Sequence, residues 1–150
     1  MAIGTRVAVT LAAGLCTVPL AACGGSDDSP MRATLTDDGC TYEGDNTVAA
    51  RGFTIEVEDQ TGHGGHFVLK EIATGFTSDT IKPIVDNPGP AGPEVASLFK
   101  DDPVFSSDVH GDASGVLLAD APAGSYVLMC HALDRWRTQG PYYAAQIEVT

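Results

Sequence analysis

The chain has 150 residues, with 8 Lys and Arg against 20 Asp and Glu, and a net charge of −12. So acidic a chain lacks the basic face that neutralises phosphates, which excludes nucleic acid as a partner and argues against attachment to anionic lipid through protein charge. Charged residues make up 19% and apolar residues 43%, a balance that supports a packed core rather than disorder.

Met1 to Arg6 forms a short n-region with one positive charge, and Val7 to Ala22 is an apolar run broken by Thr10, Gly14, Thr17 and Pro19. A membrane-spanning helix needs roughly 20 apolar residues. A shorter run ending in small residues reads as a signal peptide, here residues 1–22. Leu20-Ala21-Ala22-Cys23 resembles the bacterial lipobox, in which the Cys is diacylated and becomes the first residue of the mature chain. That resemblance implies a lipid-anchored protein on the extracytoplasmic face of the cell membrane, attached through Cys23. Two or three acyl chains hold a protein stably where one does not. Residues 23–32, with Gly24-Gly25-Ser26-Asp27-Asp28-Ser29-Pro30, read as a flexible tether. Residues 33–150 read as one folded domain.

Short alternating runs bounded by Gly, Asp and Pro dominate this domain, the pattern of a β-sandwich. Arg32 to Thr36 makes a first strand, ended by a turn at Asp37-Asp38-Gly39. Gly52 to Glu58 alternates, with Phe53, Ile55 and Val57 on one face. Asp59 to Gly65 is a turn, and His66 to Ile72 a strand with Phe67 and Leu69 on one face and Val68 and Ile72 on the other. Residues 73–115 hold five prolines and read as a long excursion, with one helix over Pro93 to Lys100, forming a flap over one end of the sandwich. Strands resume at Gly115 to Ala119 and at Ser125 to His131, where Tyr126, Leu128 and Cys130 share a face. Leu133 to Pro141 is a polar loop, and Tyr143, Ala145, Ile147 and Val149 alternate in a last strand.

Four cysteines are encoded. Cys16 leaves with the signal and Cys23 takes lipid, so Cys40 and Cys130 remain in an oxidising compartment, where a disulfide is the default. The rival role is Cys130 as a metal thiolate.

Three stretches together resemble the cupredoxin-like family. They are Leu35 to Cys40 followed by Val48 to Val57, then Gly65-His66-Phe67-Val68-Leu69, then Ala123-Gly124-Ser125-Tyr126-Val127-Leu128-Met129-Cys130. The resemblance implies an all-β, cupredoxin-like Greek-key β-sandwich of seven or eight strands with one short helix in a long loop. It also puts His66 at the first copper-ligand position and Cys130 at the copper thiolate. A type-1 site needs two imidazoles, a thiolate and usually an axial Met. Here His131 follows Cys130 directly and points to the opposite face of the strand. No His occurs after 131, no Met after 129, and Pro141-Tyr142-Tyr143 stands where related chains carry a His. Some lipoprotein members of the family resemble this chain more closely, with an early and a late Cys as Cys40 and Cys130 are placed, and there Cys130 is an inert half-cystine. The expectation is therefore a Cys40–Cys130 disulfide and no metal or other cofactor. Copper-binding electron transfer or copper trafficking through His66 and Cys130, with His63 or His131, is the alternative.

His63 and His66 are spaced H-x-x-H in a Gly-rich turn, either a solvated hairpin or a shallow Cu or Zn site with His110 or His131. No Gly-x-Ser-x-Gly elbow is present. Trp136 lies between Arg135 and Arg137, residue types enriched at binding hot spots. These features point to a non-enzymatic binding module. Its partner would be a protein or small ligand, met by the loop of Arg135, Trp136 and Arg137 and by the 73–115 excursion.

Overall fold

A computed structural model describes residues 30–87 and 93–150. The signal segment, Cys23 and the tether up to residue 29 lie outside the described residues. Short β-branched and aromatic runs give β1 (Arg32–Thr36), β2 (Gly39–Glu43), β3 (Thr47–Val48), β4 (Phe53–Asp59) and β5 (Gly65–Ile72). There follow α1 (Ser78–Val85), α2 (Pro93–Ala96), β6 (Phe99–Val109), β7 (Ser114–Ala119), β8 (Gly124–Ala132), α3 (Trp136–Gln139) and β9 (Tyr142–Val149). One sheet runs β2-β1-β4-β7 and the other β3-β9-β8-β5-β6. Pairing is antiparallel except for β1 with β4 and β3 with β9. This is the expected all-β sandwich of two sheets, with nine strands where seven or eight were expected, β2 and the two-residue β3 adding pairing at the sheet edges.

Period-two alternation sends one face of each strand between the sheets. Leu35, Ile55, Phe67, Leu117, Leu128 and Ile147 are fully buried there. Each such side chain stabilises the fold by roughly 1.5–3 kcal/mol relative to an exposed one. Tyr126 is also fully buried, and its hydroxyl donates to the Pro122 carbonyl at 3.0 Å, so the strand keeps its aromatic body in the core at no polar cost.

The five-stranded sheet has a second core on its outer face. Val68, Ile72, Val127 and Met129 pack there beneath Ile81 and Val85 of α1, with Leu98 and Phe99. The helix suits this use. Ile81 and Val85 are one turn apart on one side, Asp79 sits in the first turn, and Lys82 pairs with Asp86 at 2.7 Å.

Four expectations change. The excursion is not a flap over one end, because α1 covers a sheet face. It also contains β6, an eleven-residue strand that the sequence concealed. Pro103 argued against a strand, yet β6 is an edge strand, where a missing N–H is tolerated. The helix expected over Pro93 to Lys100 shortens to Pro93–Ala96, since Phe99 already belongs to β6. Finally, Tyr143 leaves the face of Ile147 and Val149. Leu128 pairs with Ala145 but Met129 pairs with Tyr143, so a bulge at Ala144 turns Tyr143 outward to the second core.

Candidate functional site

Cys40 in β2 and Cys130 in β8 form a disulfide with Cα atoms 6.1 Å apart, a separation that native bridges favour. It joins the four-stranded sheet to the five-stranded one. Cys130 is fully buried and Cys40 partly so.

The surroundings of Cys130 decide whether a copper ion fits. Phe67 is the cross-strand partner of Cys130, and both face the core. Their neighbours His66 and His131, also cross-strand partners, therefore face the opposite side of the sheet. The β5 position that points inward next to Phe67 is Gly65, where a Cβ would lie 2.9 Å from the Phe67 ring and 3.2 Å from Leu35. An imidazole has no room there. Met129 sits in the second core, on the far face from the Cys130 sulfur. The residues present do not fit a type-1 copper ion, and His66 and Cys130 are not brought together.

The turn between β4 and β5 is built by Asp59, which is 1% exposed. Its carboxylate accepts from Thr61 N, Thr61 Oγ1 and Gly64 N at 3.1, 2.7 and 3.0 Å. Gly62 and Gly64 take φ values of 73° and 82°, the left-handed region that glycine enters freely. This turn presents His63 to the loop after β8. Arg135 Nη2 donates to His63 Nε2 at 2.7 Å, so the lone pair is on Nε2 and Nδ1 donates to Asp134 at 3.1 Å. Arg135 also reaches Asp37 of the β1–β2 turn at 3.2 Å. Three turns are thus laced together through Arg135. Arg137 lies exposed in α3, and the side chain of Trp136 lies outside the described residues.

His66 belongs to a different group. Its Nδ1 donates to Asp108 of β6 at 2.5 Å, and its ring centroid lies 4.9 Å from that of His131. The H-x-x-H pair is therefore split between two neighbourhoods, and His110 is exposed in the loop after β6. His131 Nδ1 is buried without a hydrogen-bond partner among the described residues. Burial lowers the His131 pKa to about 4, aided by repulsion from His66 and opposed in part by Asp108. Among the described residues no three His, Cys, Asp or Glu side chains converge as a metal-binding group. Sequence reasoning noticed His131 but not its carboxylate-backed partnership. The signal for Asp108 lay in β6, which was not legible as a strand.

No protein-family model matches the chain, and no curated protein matches it. Among solved structures it is similar to dithionite-reduced auracyanin from Roseiflexus castenholzii, at 16% identity and TM-score 0.44 over 79% of this chain and 94% of that one. It is similar to auracyanin B at 12% identity and TM-score 0.40, over 83% and 93%. A multi-copper oxidase from Pediococcus acidilactici aligns at 16% identity and TM-score 0.38, over 97% of this chain and 31% of that one. Ligands and activity are read from this chain's own residues.

Proposed function

We propose that the protein is a lipid-anchored, extracytoplasmic binding module that keeps a cupredoxin-like scaffold, works without a core-facing copper ion and is not an enzyme. One observation carries this reading: the sulfur at the copper-thiolate position is joined to Cys40, and the inward position beside it is Gly65. A thiolate ligand cannot also be a half-cystine. The contact surface is the loop after β8, with Arg135 and Arg137 and the adjoining turns of Asp37 and His63. Arg135 holds this surface in place through its contacts to both turns, which lowers the entropy lost on binding. The helices of the excursion have spent their apolar side on the sheet, so the loop is the better candidate of the two expected contact regions. The partner is a protein or small ligand, and the acidic surface disfavours nucleic acid.

The test uses the full chain expressed with its own leader. Copper added to the purified protein is expected to give no intense thiolate-to-copper absorption, and its appearance would overturn the reading. In cells, Cys23→Ser is expected to move the protein from the membrane fraction to the soluble fraction. A photo-crosslinking residue at position 137 is expected to give an adduct that one at the exposed Leu118 position, on β7, does not.

A further inference from the structure

Three adjacent strands set His131, His66 and Asp108 in a row across the outer face of the five-stranded sheet. His66 of β5 is the direct partner of His131 on β8 and of Asp108 on β6. Strand pairing fixes all three backbones, so this row is a rigid feature of the sheet. The rings are 4.9 Å apart between centroids with planes at 47°.

Two imidazoles side by side, with no acid or carbonyl between them, are a poor pair for each other and a good pair for a metal. The Nδ1–H of His66 donates to the Asp108 carboxylate, which leaves the Nε2 lone pair available. A carboxylate behind an imidazole orients a metal-bound histidine and raises its basicity. His131 brings a buried nitrogen that lacks any partner among the described residues, a deficit that coordination removes. The His66 side chain is 26% exposed, so an ion can reach that imidazole from solvent, and the buried His131 nitrogen is met once an ion has docked on His66.

We propose that His66 and His131 form a two-imidazole site for a divalent transition-metal ion, Cu²⁺ ahead of Zn²⁺, with Asp108 as a positioning residue and water completing the shell. The preference for Cu²⁺ follows the general affinity order of nitrogen sites. The site needs neither Cys40 nor Cys130 and lies on the opposite side of the sheet from the disulfide. The net charge of −12 favours cation approach.

The experiment titrates the full chain, purified in detergent and stripped with chelator, with Cu²⁺ and then Zn²⁺ by calorimetry. Electron paramagnetic resonance of the Cu²⁺ form is recorded alongside. One Cu²⁺ per chain is expected, with coupling to two imidazole nitrogens and no thiolate absorption. His66→Gln and His131→Gln are each expected to weaken Cu²⁺ binding about 10-fold or more, and Asp108→Asn about 10-fold. His63→Gln and His110→Gln are expected to leave it unchanged. Absence of saturable uptake would overturn the proposal, as would binding that survives both His66→Gln and His131→Gln or is lost in His63→Gln. The resonance measurement on the unsubstituted protein stands even where a variant fails to fold, and coupling to fewer than two imidazole nitrogens there also overturns the assignment.

Discussion

His131 reaches its low pKa of about 4 because burial disfavours the imidazolium, His66 repels it, and Asp108 recovers part of the loss. The unfolded chain takes up that proton near the ordinary value of about 6.5. The folded chain therefore binds fewer protons between those values, so stability is full at neutral pH and falls as pH drops from about 6.5 to about 4. Because the ring is partly exposed, solvent screening limits the effect to on the order of 1–2 kcal/mol. In chelator-treated protein the urea midpoint is expected to fall across this window, and His131→Phe to remove that part of the fall. A midpoint with the same pH slope in both proteins would contradict the assignment. The same strand shows what single residues disclose. The cysteine pair was legible from the count together with the exported compartment that the N-terminal segment led the reading to expect. The face of His66 was contested, because alternation sets it with Val68 while the resemblance sets it at the inward copper-ligand position, and an offset of one residue exchanges the two faces. Only the pairing of Phe67 with Cys130 shows that Gly65, rather than His66, looks inward.

Among the elements, α1 does the most that the sequence left unspoken. Pro83 inside it reads as a helix breaker, yet the helix survives because Ile81 and Val85 bury themselves on the sheet. Ile81→Ala is expected to cost about 2–4 kcal/mol in urea unfolding. Ile84→Ala, at a residue 36% exposed on the same helix, is expected to change stability by about 0.5 kcal/mol or less. Equal losses at the two positions would mean that α1 does not cover the second core. The strands with clean alternation, β4, β5 and β8, were legible with their faces because both periodicity and turn residues agree there. The edge strand β6 was not, since an edge tolerates Pro103 and the paired acids Asp101-Asp102 that a central strand would refuse. Tyr143 was misplaced for a third reason: a bulge leaves no trace in a pattern of apolar letters.

For the whole molecule, the disulfide ties the two sheets across a sequence separation of 90 residues. Closing so long a loop is worth about 4–5 kcal/mol on the chain-entropy account. The Cys40→Ser, Cys130→Ser double variant, which leaves no odd thiol, is expected to lose about that much in chemical denaturation. A loss under 1 kcal/mol would show that packing between the sheets suffices. The fold class was legible because the order of strands and turns is a global pattern, whereas the contact surface depends on which turns meet, and Arg135 reaches turns 98 and 72 residues away. Burial of the five-stranded sheet on both sides has a cost outside the native state. Tyr126 to Cys130 are all at most 4% exposed, and the stretch holds no charge and no proline. Freed from its fold, such a segment pairs readily with copies of itself and seeds aggregation. Its neighbour β5 precedes it, but β9 is the last strand in the sequence. As the chain emerges from its N-terminal end, this apolar strand keeps one open edge until Tyr142 to Val149 arrive to close it.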